Sequence, residues 1–98
     1  MVKHVILWQL KDELADKETV KKEIKAGLEG LAGKIPGLKE IKVNINGLPS
    51  SNADLMLDSL FDDEASLKAY AVNPLHAAVA DTKVRPFTKS RVCLDYEA

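Results

Sequence analysis

The stretch VKHVILWQL, residues 2–10, places apolar side chains on both faces of a predicted β-strand. One face carries every second residue of the stretch, namely Val2, His4, Ile6, Trp8 and Leu10. The other face is not polar either, because Val5 and Leu7 lie between Lys3 and Gln9. A strand of this kind requires cover on both sides, which limits how the rest of the chain can be arranged.

Three further segments have the composition and alternation of strands. They are Leu38–Asn46, Asp54–Phe61 and Ser90–Tyr96. The first alternates apolar and polar side chains, which predicts one wetter face. The second has apolar residues on both faces, with Leu55 and Leu57 opposed to Met56 and Leu60. The last places three large side chains on one side, namely Val92, Leu94 and Tyr96.

The first strand is followed by a predicted amphipathic helix, with Asp16 as its N-cap. Its apolar residues recur at helical spacing and are Val20, Ile24, Leu28, Leu31 and Ile35. Pro36 and Gly37 are expected to end the helix, because proline disfavours a helical conformation in the residue before it and glycine permits the turn.

A second helical segment is predicted to start after Asp62 or Asp63 and to pause at Asn73 and Pro74. The same pair favours a restart, with Asn73 as N-cap and Pro74 at the first helical position. The side chains expected to face the sheet are Ala65, Leu67, Ala69 and Tyr70 before the break, and Leu75, Val79 and Val84 after it. Pro86 is expected to end the segment.

The resulting order, β-α-β-β-α-β in one domain of residues 1–98, is typical of the ferredoxin-like α+β fold. In that fold a four-stranded antiparallel sheet carries both helices on one face. The other face would then expose an apolar patch made of Val5, Leu7, Met56 and Leu60. Because such a patch marks an association site, the sequence predicts a two-fold symmetric homodimer through the open sheet face.

Composition narrows the possible partners and cofactors. The net charge of −1, with acids and lysines interspersed, argues against nucleic acid. No segment has the features of a membrane span or a secretory signal, so we expect a soluble protein without a membrane partner. Cys93 is the only cysteine, which excludes an intrachain disulfide framework and a cysteine-based zinc site and favours a reducing compartment such as the cytoplasm. Neither a metal nor another cofactor is expected.

Five segments, in this order, resemble the stress-responsive α/β-barrel family, also called dimeric α/β-barrel proteins. They are VKHVILWQLK at the start, IPGL at the first turn, ADLMLDSLFDDEASLKAY across the third strand and second helix, NPLH at the break and RVCLDYEA at the end. The resemblance implies a ferredoxin-like fold that dimerises through its sheets. Most members are uncharacterised, and some resemble plant stress proteins that form stable oligomers.

One relative in this family is a polyketide cyclase that catalyses an intramolecular aldol condensation. It has a tyrosine and a histidine at the positions that match Tyr70 and His76, so the resemblance implies these two as candidate catalytic residues. The sequence departs from the family pattern at Asn73, where a histidine often precedes the proline.

The chain also supports a physical interpretation of Tyr70 and His76. The break at Pro74 places Tyr70 near the end of one helix and His76 in the first turn of the next, so both could converge between helices and sheet. The positive end of the helix dipole disfavours imidazolium, which would leave His76 neutral and able to accept a proton. Tyr70 could then hold a carbonyl or enolate oxygen. Alternatively both residues are structural, since their spacing forms no recognised motif.

Four further residues are candidate ligand contacts: His4, Trp8, Leu57 and Asn73. His4 shares a strand face with Trp8 and could line the same cavity, although a hydrogen-bonded core histidine is the commoner role. Trp8 is expected to be part of the core or of a cavity wall rather than a platform for a cofactor. Cys93, inside a strand, is expected to be an inert buried thiol.

Two functions of different classes stay open. In the first, the helix-sheet cleft binds a small, mostly apolar carbonyl compound and performs cyclase-like acid-base chemistry, with His76 as base, Tyr70 as donor and His4 as an accessory group. In the second, the chain is a non-enzymatic, stress-related oligomeric or interaction module. A cavity lined by Tyr70 and His76 would favour the first function, whereas packed side chains there would favour the second.

Overall fold

The computed structural model describes residues 1–98 and contains four β-strands and three α-helices. In chain order these are β1 (Val2–Leu10), α1 (Lys17–Glu29), β2 (Leu38–Asn44), β3 (Leu55–Phe61), α2 (Glu64–Val72), α3 (Pro74–Val79) and β4 (Thr88–Glu97). A π-helical turn (Ala80–Val84) and a 3-10 turn (Arg85–Phe87) connect α3 to β4. The predicted order β-α-β-β-α-β is therefore confirmed.

The four strands form one sheet in the order β2-β3-β1-β4, and every neighbouring pair is antiparallel. Strand β1 is central and pairs with β3 on one side and with β4 on the other. This arrangement is the ferredoxin-like α+β fold, with the helices packed on one face.

The two faces of the sheet differ as the alternation predicted. On the helix face, Val2, His4, Ile6, Trp8 and Leu10 of β1 are all buried, and so are Leu55, Leu57, Ser59 and Phe61 of β3. On the other face, here called the open face, no element covers the strands. A bulge between Leu38 and Glu40 shifts the alternation of β2, so that Leu38 and Val43 both point to the core.

The predicted end of the first helix is wrong. Helix α1 ends at Glu29, and residues 30–34 form a series of tight turns instead of further helix. Gly33, with a φ of 77°, reverses the chain direction in a conformation that favours glycine. Leu31 and Ile35 are nevertheless buried, because the turns pack them onto the same core as α1. The apolar spacing of Leu31 and Ile35 therefore matches that of a helix, although these residues lie in turns.

The break in the second helical segment is confirmed. Helix α2 begins after Asp63, whose carboxylate accepts a hydrogen bond from Ser66 N, and it ends at Val72. Asn73 then caps α3 with Pro74 at the first helical position. The expected sheet-facing surface of α2 is only partly correct, because Leu67 and Tyr70 are buried whereas Ala65 and Ala69 are exposed.

Replacing Asn73 with Ala should weaken this restart. The Asn73 side chain accepts a hydrogen bond from Leu75 N at 2.9 Å, and loss of a cap of this kind typically costs about 1 kcal/mol. We expect urea denaturation to show that decrease in the free energy of unfolding. Asn46→Ala, in an exposed loop, is the matched control and should stay within about 0.5 kcal/mol of the unmodified chain. Equal losses in both variants would exclude a capping role.

The helices leave one strand without cover on the helix face. The helices bury the helix-facing side chains of β1 and β3. They also bury those of β2, apart from Ile41, which is only partly buried. In contrast, every residue of β4 from Arg91 onward is exposed. Arg91, Cys93 and Asp95 of β4 point to this same side, because they alternate with the open-face residues. The helix side of β4 is thus the accessible part of the sheet. None of the helices is both long and apolar enough to cross a membrane.

Candidate functional site

The first part of the site is a pair of facing residues on the two strands β1 and β4. His4 of β1 lies directly opposite Asp95 of β4, and the Nδ1 atom of His4 is in hydrogen-bond contact with Oδ1 of Asp95. Ser59 fixes the same stretch of β1 from the other side, because its hydroxyl donates a hydrogen bond to the His4 carbonyl oxygen at 2.7 Å. His4 is thus buried and oriented by a carboxylate, an arrangement that fixes which ring nitrogen faces the acid.

A line of aromatic rings runs from His4 to the start of α3. The ring centroids of His4 and Tyr70 are 6.1 Å apart, and those of Tyr70 and His76 are 4.1 Å apart. Phe61 supports the line from the core, with its centroid 4.9 Å from that of Tyr70. The structure therefore brings together all three residues for which the sequence suggested chemistry, and the break at Asn73 is what allows His76 to stack on Tyr70.

Two polar atoms in this line are buried without a hydrogen-bond partner, the Tyr70 hydroxyl and Nδ1 of His76. Burial raises the pKa of Tyr70 to about 12, so the phenol stays protonated and available as a donor. Burial also lowers the pKa of His76, a change to which His4, Arg85 and Arg91 add while the backbone of Ala71 opposes it. A pKa below the ordinary value of 6.5 favours the neutral imidazole near pH 7, with burial rather than a helix dipole as its main cause.

The lowered pKa of His76 predicts an acid-sensitive stability. As the pH falls below the ordinary value of 6.5, the unfolded chain takes up a proton that the folded chain resists. The stabilising contribution of neutral His76 is therefore complete above that pH and is lost as the pH falls towards the folded-state pKa. We expect the free energy of unfolding of the unmodified chain to decrease more than that of His76→Gln as the pH falls below about 6.5. If the free energy of unfolding depended on pH in the same way in both proteins, burial would not protect His76 from protonation.

Two clefts flank the aromatic line on the helix side of β4. The larger, the α2–β4 cleft, has a volume of about 590 Å³, and the residues that line it include His4, Leu67, Ala71, Arg91, Cys93 and Asp95. The smaller, the α3–β4 cleft, has a volume of about 290 Å³ and is lined by Trp8, His76, Ala80, Val84, Arg85, Thr88 and Arg91. Arg91 borders both clefts. A third hollow, of about 330 Å³ near Leu7 and Asn44, lies away from all of these groups.

The candidate residues have different positions relative to these clefts. His4 borders the larger cleft, whereas His76 and Trp8 border the smaller one. Tyr70 lies between them and is only 1% exposed, so its hydroxyl is closed off by packed side chains. Leu57 is 1% exposed in the core and borders neither cleft. Asn73 caps α3 and likewise borders neither cleft.

Sequence reasoning missed the contribution of β4 to the site. Asp95 and Cys93 lie 91 and 89 positions from His4 along the chain, and only the pairing of β1 with β4 brings them together. The expectation of a buried, inert Cys93 is wrong, because the edge strand has no helix above it and leaves the thiol exposed. The alternation of Ser90–Tyr96 was the one available signal, since it places Arg91, Cys93 and Asp95 on a common side.

The sequence comparison and the structure comparison indicate the same family. The sequence model of the stress-responsive A/B barrel domain, abbreviated Dabb, matches residues 2–98. A dimeric protein of unknown function with a ferredoxin-like fold, from Bacteroides fragilis, is 33% identical; the match covers 99% of this chain and 95% of that one, with a TM-score of 0.90. A dimeric ferredoxin-like protein of unknown function from Jannaschia is 25% identical over 99% of this chain and 98% of that one, with a TM-score of 0.79.

Another similar structure is an enzyme, the hydroxynitrile lyase from Passiflora edulis. It is 21% identical over 97% of this chain and 90% of that one, with a TM-score of 0.80, a likeness that shows the fold alone. No curated protein matches the chain in sequence. The family match spans nearly the whole chain and agrees with the fold. The chain therefore belongs to the stress-responsive A/B barrel domain family.

Proposed function

We propose that this single domain works as a homodimer that binds a small, mostly apolar carbonyl compound beside the aromatic line and transfers a proton on it. The observation that carries the proposal is the pair of buried polar atoms without partners, Tyr70 Oη and His76 Nδ1, on rings stacked at 4.1 Å. Buried polar groups are almost always paired, because an unpaired one costs about 1–3 kcal/mol. A ligand that pairs with both groups would remove that cost.

The proposed roles follow from the protonation states. Neutral His76 removes a proton from the carbon next to the carbonyl, while the Tyr70 hydroxyl donates a hydrogen bond to the carbonyl oxygen as negative charge develops there. His4, held by Asp95, is the accessory group on the other side of Tyr70. Because Tyr70 is closed to solvent, ligand entry would require the side chains packed over its hydroxyl to move. Trp8 would then be a wall of the site.

The homodimer is supported by the open face. Leu7, Val92, Leu94 and Tyr96 on that face are between 40% and 65% exposed, and Val5, Met56 and Leu60 lie among them. On the β2 side the face is polar, with Glu40, Lys42 and Asn44 exposed. We therefore place the dimer contact on β1, β3 and β4. The Bacteroides fragilis and Jannaschia structures are described as dimeric. We place the protein in the cytoplasm, because its one cysteine has no disulfide partner within the chain.

A thermal-shift screen of small ketones, aldehydes and 1,3-dicarbonyl compounds tests the proposal. For a compound that binds, exchange of its α-protons in D2O, followed by NMR, measures proton removal directly. His76→Gln keeps a polar side chain of similar size, and Tyr70→Phe removes only the hydroxyl. We expect each variant to retain its fold and to slow exchange by about a hundredfold or more. Exchange at the unmodified rate in His76→Gln would contradict the role of His76 as base.

A second function is favoured by one specific observation. The packing that closes Tyr70 matches the outcome expected for a non-enzymatic assembly module, whose activity would rest on the open face alone. Failure of every compound in the screen, together with a stable dimer, would support this alternative over the proton-transfer function.

A further inference from the structure

We propose that His4, Cys93 and Asp95 form a binding site for one Zn²⁺ ion or a similar divalent transition metal. The proposal goes beyond the proton-transfer function and departs from the sequence-based expectation of no metal. That expectation rested on the single cysteine, the two histidines and the absence of carboxylates at a ligand spacing, none of which reveals that β4 lies beside β1.

Strand pairing explains why these three side chains converge. Cys93 and Asp95 are two residues apart on β4 and therefore project on the same side of the sheet. Asp95 is opposite His4, and Cys93 is opposite Ile6, the next residue of β1 on that face. The ligand atoms of all three residues lie within 4.8 Å of one another.

The distances suit a tetrahedral ion. With metal bonds of about 2.3 Å to sulfur and about 2.0–2.1 Å to nitrogen or oxygen, the sulfur of such a site lies about 3.5 Å from its neighbouring ligand atoms. Here Cys93 Sγ is 3.7 Å from His4 Nδ1 and 3.5 Å from Asp95 Oδ1. His4 and Asp95 are in hydrogen-bond contact and must separate slightly, which the half-exposed Asp95 side chain permits.

The donor set and its surroundings select the kind of metal. One thiolate, one imidazole and one carboxylate favour Zn²⁺ or Co²⁺ over Mg²⁺ and Ca²⁺, which prefer oxygen ligands. Three protein ligands leave a fourth position for water. All three residues line the α2–β4 cleft, which supplies both the room for that water and a path for the ion.

Metal binding replaces the proton of the Cys93 thiol, which leaves to solvent, because the sulfur binds the ion as a thiolate. His4 would bind as a neutral imidazole, with its ring proton on Nε2 and the Nδ1 lone pair on the metal, and Asp95 would bind as the carboxylate. The ion would contact His4 but neither Tyr70 nor His76, and its binding needs no carbonyl compound, so separate measurements test metal binding and the proposed proton transfer.

Titration of the tag-free protein of residues 1–98 with Co²⁺ tests the site without any organic ligand. We expect one Co²⁺ per chain, visible d–d bands of tetrahedral intensity, and a near-ultraviolet thiolate-to-cobalt charge-transfer band. Zn²⁺ should displace the cobalt and abolish these bands. Cys93→Ser should eliminate the charge-transfer band and weaken Zn²⁺ binding at least tenfold, as measured by calorimetry.

A matched pair of substitutions separates coordination from general negative charge in the cleft. Asp95→Asn and Glu97→Gln remove the same charge from neighbouring positions of the same strand face, and both residues line the α2–β4 cleft. Asp95→Asn should weaken Zn²⁺ binding at least tenfold, whereas Glu97→Gln should not. Circular dichroism verifies that each variant is folded. Absence of the charge-transfer band in the unmodified protein, or an equal Zn²⁺ affinity in Cys93→Ser, would overturn the proposal.

Discussion

Replacement of Val92 with Asp is expected to convert the proposed homodimer into a monomer. Val92 is 65% exposed on the open face and lies opposite Leu7 in the pairing of β1 with β4. In a two-fold symmetric dimer the substitution places two unpaired carboxylates in an apolar contact, where burial of a charge is costly. We expect the dissociation constant to rise by about a hundredfold or more, equivalent to about 2.8 kcal/mol.

The matched control is Val72→Asp on α2. Val72 is 79% exposed but lies away from the sheet, so the same chemical change there should leave the dimer intact. Light scattering after size-exclusion chromatography, with both variants at the same micromolar concentration, measures the difference. A Val92→Asp protein that stays dimeric would place the contact on another surface, and a monomeric unmodified chain would remove the dimer altogether.

Replacement of Phe61 with Ala should cause the largest loss of stability of any substitution considered. Phe61 is fully buried at the end of β3, and its ring packs against both Tyr70 and His4. Truncation of a buried phenylalanine typically costs about 3–5 kcal/mol, because transfer energy is lost and a cavity remains. The free energy of unfolding of a domain of this kind is about 5–15 kcal/mol, so this loss is a large share of it. The variant should therefore unfold at a much lower urea concentration.

Phe87 offers the control for this substitution. It is only partly buried beside the core, so Phe87→Ala should cost clearly less than Phe61→Ala. Both measurements need one fixed protein concentration, since dimerisation contributes to apparent stability. Equal costs for the two variants would contradict the central position of Phe61 beneath the aromatic line.

The strands could be predicted because each face of the sheet leaves its own pattern in the sequence. Alternate burial of His4, Ile6 and Trp8 is a direct result of the period of two along β1. The end of α1 could not be predicted in the same way. Leu31 and Ile35 are buried by turns, so burial continued at helical spacing after the helix itself had ended at Glu29.

The candidate site likewise has one part that could be predicted from local sequence and one part that could not. Convergence of Tyr70 and His76 follows from a local signal, the break at Pro74, and the structure stacks these two rings. The contact of His4 with Asp95 depends instead on the pairing of β4 with β1, which is determined by the tertiary structure and not by the local sequence. Local patterns therefore predicted the half of the site on α2 and α3 and missed the half on β4.

An NMR map of ligand binding tests the position of the proposed site most directly, because different residues report on the two faces of the sheet. With a compound found in the screen, we predict shifts in the ring signals of His4 and His76 and in the Ala71 methyl group. The methyl groups of Val92 and Leu94, on the open face, should not shift. Shifts confined to Val92 and Leu94, with unchanged histidine signals, would contradict a site on the helix side.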